Sequence, residues 1–147
     1  DFDAINNNLT KHDKVAIVSF DVNNLKLLND TLGHAAGDAL IIRAAETITN
    51  CFENEFSTVY RIGGDEFVAI IDNKNAQKIY KISKDMFKST LEEFNSKEDK
   101  PFELSIAYGC EYYENTENCP YENLDEVLKV SDKYMYKHKQ ILKSKAK

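Results

Sequence analysis

A double glycine between two apolar runs constrains this chain more than any other feature. The segment RIGGDEF at 61–67 joins the runs at 57–62 and 67–71. This pattern predicts a β-hairpin whose tight turn needs residues that tolerate positive φ. Asp65 and Glu66 follow the glycines directly, and glycine lets a ligand come close to the backbone. On local chemistry alone a plain solvated hairpin is the ordinary explanation, because Asp and Gly are common turn formers.

A buried strand that ends in a carboxylate lies upstream of this hairpin. Residues 15–20 form an almost unbroken apolar run, as expected of a central strand covered on both faces. Asp21 follows the run, and residues 23–29 begin like a helix with Asn as its cap. Ligands favour the carboxyl ends of strands, and helix N-termini attract phosphate. The alternative is that Asp21 merely ends the strand, but an acid pair on a hairpin that can pair beside it favours a site.

Composition and charge exclude several classes of protein. The chain has 147 residues, which suits one domain with its own core. Its 42% hydrophobic and 30% charged content is typical of a soluble globular protein. No apolar run approaches the ~20 residues of a membrane helix, and the start shows no secretory pattern. The net charge of −6 argues against a nucleic-acid partner, and three cysteines without metal spacing are expected to be reduced cytoplasmic thiols.

The apolar spacing predicts an α/β chain, an α+β sandwich with a mostly antiparallel central sheet flanked by helices. The predicted helices are at about 1–10, 23–31, 36–51, 74–95 and 123–143. The predicted strands are at 14–21, 57–62, 66–72 and 102–112.

Three motifs together resemble the GGDEF-type diguanylate cyclases. They are DVNNLKLLNDTLGHAAGD at 21–38, the segment at 61–67, and SDKYMYKHK at 131–139, which looks like the family's last helix. The resemblance implies one GGDEF domain over 1–147 with the ferredoxin-like fold of nucleotidyl cyclases and polymerase palms. The chain begins at Asp1, after the Asp-Leu-Thr-Gly type segment usual in the family. We therefore expect a cytoplasmic catalytic domain excised from a longer signalling protein, with sensor or membrane modules N-terminal to it.

The resemblance implies a set of catalytic carboxylates. Asp21, Asp65 and Glu66 converge if the hairpin lies beside the first strand. The implied metal ligands are Asp21, Asp65 and the Val22 carbonyl, and Glu66 has a catalytic or metal-supporting role. Mg²⁺ (or Mn²⁺) is the expected cofactor, because it prefers hard oxygen ligands and binds through one or two carboxylates plus substrate phosphates. Such ions activate a hydroxyl and neutralise leaving pyrophosphate.

The same resemblance assigns the substrate contacts. Asn29 and Asp38 are expected to bind guanine, although Asp38 is also explained as a helix cap after Gly37. The triphosphate is expected over the N–H groups that open the second predicted helix, near two lysines one helical turn apart. The implied substrate-binding residues are Asn23, Asn24, Leu25, Asn29, Asp38, Gly63, Gly64, Lys139 and Lys143.

Two departures from the family pattern stand out. Lys143 replaces an Arg, so a point charge is kept and the bidentate fork is lost. The other C-terminal lysines are explained as a solvated face. Many family members carry an inhibitory, product-binding Arg-x-x-Asp before the double glycine, whereas this chain has NEFS at 54–57. We expect that inhibitory site not to work.

The expected function is a diguanylate cyclase that converts two GTP into cyclic di-GMP and two pyrophosphates across a symmetric homodimer. One alternative is a non-catalytic GTP-binding regulatory module, which Lys143 and the shortened ends favour. A second is an interaction domain that shares only the fold and binds no nucleotide. The intact acid set favours the enzyme, because a purely binding domain has less reason to keep it.

Overall fold

A four-stranded antiparallel sheet forms the centre of the molecule. This computed structural model describes residues 2–145, except for the side chain of Thr10. The strands lie in the order β2-β3-β1-β4, and every pairing is antiparallel. They are β1 (Lys14–Val22), β2 (Ser57–Arg61), β3 (Glu66–Asp72) and β4 (Ile106–Glu114). The predicted antiparallel sheet and its hairpin are confirmed.

Helices cover both faces of this sheet. The α-helices in the described part of the chain are α1 (Phe2–Asn7), α2 (Leu25–Leu32), α3 (His34–Phe52), α4 (Ala76–Asn95) and α5 (Leu124–Lys145). A short 3-10 helix, Leu9–Lys11, follows α1. None of the described helices has the length and apolarity that a membrane crossing requires.

Strand β1 is buried on both faces, as its apolar run predicted. Ala16, Val18 and Phe20 belong to the core cluster that also holds buried residues of α3 and α4. Val15 and Ile17 belong to a second cluster with residues of α5. Burial of this kind drives folding at about 25 cal/mol per Å² of apolar surface, and it fixes the position at which the strand ends.

Aromatic rings hold the carboxyl end of β1 in place. The Phe20 ring packs edge-on against Phe52 and Phe87, with centroids 5.0 and 5.6 Å away. Such pairs add about 0.5–1.5 kcal/mol beyond the area they bury. Because Asp21 follows Phe20 directly, this cluster also fixes where its carboxylate emerges from the core.

The predicted start of the last strand was wrong. The strand begins at Ile106 rather than at residue 102. The Asn95 side chain at the end of α4 accepts from Leu104 N at 2.8 Å and donates to Leu104 O at 2.9 Å. This amide takes the place of a neighbouring strand, so the segment before Ile106 is fixed without being part of the sheet.

Three helix starts also differ from the prediction by two residues, one of them that of α4, which begins at Ala76 rather than at residue 74. Helix α2 begins at Leu25, because Asn24 takes the left-handed conformation with φ 69°. Helix α3 begins at His34, directly after Gly33 with φ 90°. Asp38 therefore lies inside α3, and the alternative explanation of Asp38 as a cap is wrong.

Candidate active site

The hairpin tip lies beside the carboxyl end of β1, as predicted. Asp21 pairs with Glu66 in the β1–β3 register. One residue on, Val22 N donates to Asp65 O at 2.8 Å. The N–H and C=O groups of one strand residue face the same neighbour, so the Val22 carbonyl also faces the tip. Three acidic residues and a main-chain carbonyl thus lie at the same end of the sheet.

Asp21 is a buried carboxylate with only one of its oxygens paired. The residue is 7% exposed, and its Oδ2 lies 2.9 Å from the Lys139 ammonium. Its Oδ1 is buried and has no hydrogen-bond partner. A buried acceptor without a partner costs about 1–3 kcal/mol. A ligand that binds this oxygen recovers that cost.

Like charges concentrate at this edge. Burial raises the pKa of Asp65, and the negative charge of Asp21 raises it further. Burial also raises the pKa of Glu66, followed by the charges of Asp21, Asp132 and Asp65. Burial is the larger cause of both shifts, and the part that comes from the neighbouring acids reflects repulsion between ionised carboxylates. A bound cation relieves that repulsion.

The donor set fits magnesium. Within residues 2–145, no three His, Cys, Asp or Glu side chains are already arranged around a common point as metal ligands. Magnesium does not need such a group, because it is commonly held by one or two carboxylates with waters and substrate phosphates. Asp21, Asp65 and the Val22 carbonyl supply hard oxygens of that kind, and Asp21 Oδ1 is unpaired.

The N-terminus of α2 opens beside these acids. Asn24 occupies the cap position, but its side chain makes no capping hydrogen bond, so the predicted Asn cap was wrong in its chemistry. The first N–H groups of a helix lack partners within the helix. Together with the positive end of the helix dipole, they form a place for an anion such as phosphate.

A cleft of about 710 Å³ joins Asp65 to the start of α2, although neither Asp21 nor Glu66 lines it. This volume lies in the usual range for small-molecule sites. The predicted residues that line it are Val22, Asn23, Asn24, Leu25, Asp65, Lys139 and Lys143. Residues that sequence reasoning had not assigned also line it, namely Lys26, Leu27, Asp30, Glu103, Ser105, Leu142 and Lys145.

Lys139 reaches the cleft because α5 packs closely on β4. A Cβ at Gly109 would collide with main-chain atoms of Ser131 and Met135, so only glycine allows this approach. The Ser131 hydroxyl also lies 2.7 Å from the Ser19 hydroxyl in the core. One helical turn beyond Met135, Lys139 is brought over the end of β1.

The predicted guanine contacts lie together, on the helix pair next to the cleft. A Cβ at Gly37 would collide with the Asn29 side chain, so this glycine lets α2 and α3 approach closely. Asp38 follows Gly37 and is exposed. Neither Asn29 nor Asp38 belongs to the cleft lining, although Lys26, one turn before Asn29, does.

The hairpin tip is held by a residue that had no assigned role. The Arg61 guanidinium donates to Gly63 O at 3.1 Å and to Gly64 O at 2.7 Å. The predicted positive φ was wrong, since neither glycine of the pair has one. A Cβ at Gly64 would meet no atom within 4 Å. The tip is therefore rigid and leaves open space beside Asp65, although neither glycine lines the cleft.

Comparison with known proteins identifies the family. The family model of the diguanylate cyclase GGDEF domain matches residues 3–145. The chain belongs to this GGDEF family. It is 30% identical over 137 residues to diguanylate cyclase A of Treponema denticola, covering 93% of this chain and 36% of that protein. It is also 29% identical to the cyclic di-GMP phosphodiesterase PdeB of Shewanella oneidensis, over 80% of this chain and 13% of that protein.

Solved GGDEF structures share the fold. The GGDEF domain of DgcB from Caulobacter crescentus, solved with c-di-GMP, has a TM-score of 0.73 at 19% identity, covering 94% of this chain and 81% of that one. The active GGEEF domain of a diguanylate cyclase from Vibrio cholerae has a TM-score of 0.70 at 19% identity, covering 93% and 82%. The predicted α+β sandwich of GGDEF type is confirmed.

The stretch that replaces the family's Arg-x-x-Asp forms a tight turn into β2. Asn54 and Ser57 exchange main-chain hydrogen bonds of 3.1 and 3.3 Å. The Asn54 side chain accepts from Phe56 N at 2.8 Å, and the Ser57 hydroxyl is buried without a partner. Neither side chain carries a charge to offer a product phosphate, which agrees with the loss of this GGDEF inhibitory site. That loss stays a prediction.

Proposed function

We propose that this GGDEF domain is a diguanylate cyclase that condenses two GTP into cyclic di-GMP and two pyrophosphates. The observation that carries the proposal is the buried, half-paired Asp21 carboxylate beside Asp65 and the open N-terminus of α2. Family membership supports the reaction class. The cleft volume of about 710 Å³ supports a ligand of nucleotide size.

Asp21, Asp65 and the Val22 carbonyl are proposed to hold Mg²⁺. When bound, the ion lowers the pKa of the attacking hydroxyl and stabilises the leaving pyrophosphate. Glu66 is proposed in a catalytic or metal-supporting role, because it follows Asp65 and lies opposite Asp21 in the β1–β3 register. Asp65→Asn keeps the shape of the side chain and removes its charge, so it is the matched variant for this assignment.

The chain's own residues bind and orient GTP. The N–H groups of Asn24 and Leu25 receive the triphosphate, whereas the Asn23 N–H, also predicted to do so, is already paired with Ser105 O. Lys139 and Lys143 add two positive charges along the same cleft. In the structure the Lys139 ammonium is paired with Asp21. Because Lys139 also lines the cleft, its ammonium would pair with a phosphate oxygen if a cation neutralised Asp21.

Guanine selection is proposed for the α2–α3 contact. The Asp38 carboxylate accepts hydrogen bonds from the ring N–H and the amino group of guanine, and the Asn29 amide offers both a donor and an acceptor. Adenine lacks these two donors in the same places. Adenine therefore leaves the Asp38 carboxylate and the Asn29 amide without these hydrogen bonds, which gives the site its selectivity.

The product's symmetry points to a symmetric dimer. Each 3′-hydroxyl attacks the α-phosphorus held by the other subunit, forming one P–O bond while the bond to pyrophosphate breaks. Two such attacks related by a two-fold axis give one cyclic product, and closed two-fold dimers are the commonest protein assemblies. Because the reaction needs two subunits, the domain is expected to be slow as a monomer.

The test uses the chain fused to a dimeric coiled coil. GTP and Mg²⁺ are added and the products are separated by chromatography. Cyclic di-GMP from the parent, and none from Asp65→Asn, is the expected result. A folded dimer that binds GTP and makes no product would overturn the cyclase assignment.

A GTP-binding regulatory module is the second candidate. Lys143 in place of Arg favours it, because a lysine cannot grip a phosphate with two parallel hydrogen bonds. The likeness to a protein named as a phosphodiesterase also favours it, since a matching region occurs beside a different activity. The same fused dimer separates the two, because this candidate predicts saturable GTP binding with no turnover.

A further inference from the structure

The link between β1 and α2 is tied to Ser105 at two points. The main-chain N–H of Asn23 donates to Ser105 O at 2.9 Å. The Asn23 side-chain amide donates to the Ser105 hydroxyl at 3.0 Å. Asn23 is only 6% exposed. The Asn23–Ser105 pair therefore fixes both the backbone and the side chain of Asn23.

The residue after Asn23 turns the chain into α2. Asn24 has φ 69° and ψ 16°, a left-handed conformation that is uncommon outside glycine and that Asn tolerates best. Its carbonyl accepts the hydrogen bond from Leu28 N at 2.9 Å that starts the helix. The direction of the first N–H groups of α2 thus depends on how Asn23 is held.

Ser105 is itself anchored and does not move with a free loop. Leu104, one residue before it, is 1% exposed and has both main-chain groups bonded to the Asn95 side chain. Ile106, one residue after it, is the first residue of β4. Ser105 also lines the cleft. It is a fixed support on the side of the cleft opposite the hairpin tip.

We infer that Ser105 is a positioning residue for the triphosphate of GTP. Its hydroxyl and carbonyl hold Asn23, and Asn23 keeps the N–H groups of Asn24 and Leu25 in the orientation that receives phosphate. Ser105 acts through Asn23 and need not touch the nucleotide. The inference rests on the proposed GTP site, and it assigns a role to a residue outside the three motifs of the sequence.

Two substitutions separate the hydroxyl from the rest of the residue. Ser105→Ala removes the hydroxyl and keeps the main-chain bond, whereas Ser105→Thr keeps both. Calorimetry is run with GTP and with GMP, which lacks the β- and γ-phosphates. We expect Ser105→Ala to weaken the affinity for GTP about threefold to tenfold, which is the scale of one hydrogen bond. We expect Ser105→Ala to weaken the affinity for GMP less than about twofold. We expect Ser105→Thr to bind GTP as the parent does.

A role confined to stability gives a different pattern. It would lower the melting temperature and weaken GTP and GMP alike, and that result would overturn the inference. If the parent binds GTP and Ser105→Ala binds it equally, the role of Ser105 falls while the proposed function stands. If the parent binds no GTP, both fall together.

Amide hydrogen exchange on the nucleotide-free chain tests the geometry directly. Exchange at Asn23 should be faster in Ser105→Ala than in Ser105→Thr, because half of the support is lost. The Leu104 amide, bonded to Asn95, is the internal reference and should not change. Equal exchange at Asn23 in the two variants would contradict the Asn23–Ser105 contact as a support.

Discussion

The two ends of β1 differ in how completely their polar groups are paired. At its start, the Lys14 ammonium lies 2.7 Å from a Glu114 carboxylate oxygen. Just before the strand, His12 lies 2.8 Å from the Asp72 carboxylate on β3. These contacts tie the start of β1 to its neighbours on both sides.

The other end of the strand is left incomplete. Asp21 and Asn23 each keep a buried side-chain oxygen without a hydrogen-bond partner. Asp65 and Glu66 have raised pKa values, caused by burial and then by the Asp21 charge. Unpaired buried groups each cost about 1–3 kcal/mol. The start of β1 is therefore stabilised by paired groups, whereas its other end keeps buried polar groups without partners.

The largest expected effect comes from removing one acid at the incomplete end. We expect Asp65→Asn to lower cyclic di-GMP synthesis by the fused dimer at least about a hundredfold, the scale of losing one preorganised charge-stabilising group. The fold should be unchanged, because Asp65 lies at the tip of the hairpin and outside both core clusters. Turnover and circular dichroism are measured on the same preparation.

Asp72→Asn is the matched control at the paired end. It makes the same chemical change on β3, next to His12. We expect it to keep turnover and to lose some stability. Near-parental turnover by folded Asp65→Asn, or equal losses of turnover in both variants, would contradict the assignment of a stabilising role to one end of β1 and a catalytic role to the other.

Base selectivity is the next largest effect. We expect GTP to bind at least about tenfold tighter than ATP, which corresponds to one unpaired polar group. Asp38→Ala should reduce that preference without changing the affinity for ATP, because it removes only the acceptor for guanine. Calorimetry with both nucleotides measures the ratio. Equal affinities in the parent would refute the guanine assignment of Asn29 and Asp38.

The two part-buried lysines at opposite ends of β1 sharpen the comparison further. Lys139→Met leaves the Asp21 carboxylate without its ion-pair partner, and the Asp21 side chain is only 10% exposed. We expect it to cost about 2 kcal/mol of unfolding free energy, below the 3–5 of a fully buried pair. Lys14→Met strands Glu114, which is 49% exposed, so we expect less than about 1 kcal/mol.

Ligand binding should separate the same two lysine variants more clearly. Lys139→Met should also weaken the affinity for GTP about fivefold to tenfold, whereas Lys14→Met should leave that affinity unchanged. Urea unfolding and calorimetry give the two quantities. A GTP loss of equal size in both variants would show that stability, and not contact with phosphate, explains it.

Sequence patterns predicted the parts of this site that depend on short-range chemistry. The apolar run before Asp21 and the glycine pair before Asp65 placed both acids correctly at one edge. The contact between Asp21 and Lys139 joins residues 118 positions apart, so only the family resemblance brought Lys139 to the site.

What the sequence missed has local physical causes. A side-chain amide, Asn95, replaces a strand neighbour for Leu104, and no apolar period reports such a substitution. The left-handed turn falls on Asn24 rather than on the hairpin glycines, because Asn tolerates that conformation too. Ser105 was missed for a different reason, since its partner Asn23 is 82 positions away in the sequence, at the end of the neighbouring strand, and serine is common in loops.

Product inhibition tests a third region, the turn before β2. Asn54 and Ser57 offer no charge to a product phosphate, and Glu55 adds a negative one that opposes it. We expect cyclic di-GMP to inhibit only by competing with GTP in the cleft. Initial rates at several GTP concentrations with added product decide this. A noncompetitive pattern that disappears on changing Asn54 or Ser57 would contradict it.

The smallest expected effect is a pH dependence of stability that belongs to the incomplete end. The folded-state pKa of Asp65 and of Glu66 lies above the ordinary values of 3.8 and 4.5. At pH values between the ordinary and the raised pKa, the folded chain binds more protons than the unfolded chain does. The contribution of these two groups to stability therefore falls as pH rises through that window.

Asp65→Asn removes part of this dependence, so its stability relative to the parent should increase as pH rises from below 3.8 to above the raised pKa. Asp85 supplies the opposite case, because its hydrogen bond with Lys81 lowers its pKa. Asp85→Asn should lose stability relative to the parent at higher pH, and the difference should vanish on acidification. Both differences should be small, since solvent screens both sites. Thermal unfolding of the nucleotide-free variants from pH 3 to 7 measures them. Trends of the same sign would show that the folded chain does not raise the pKa of Asp65.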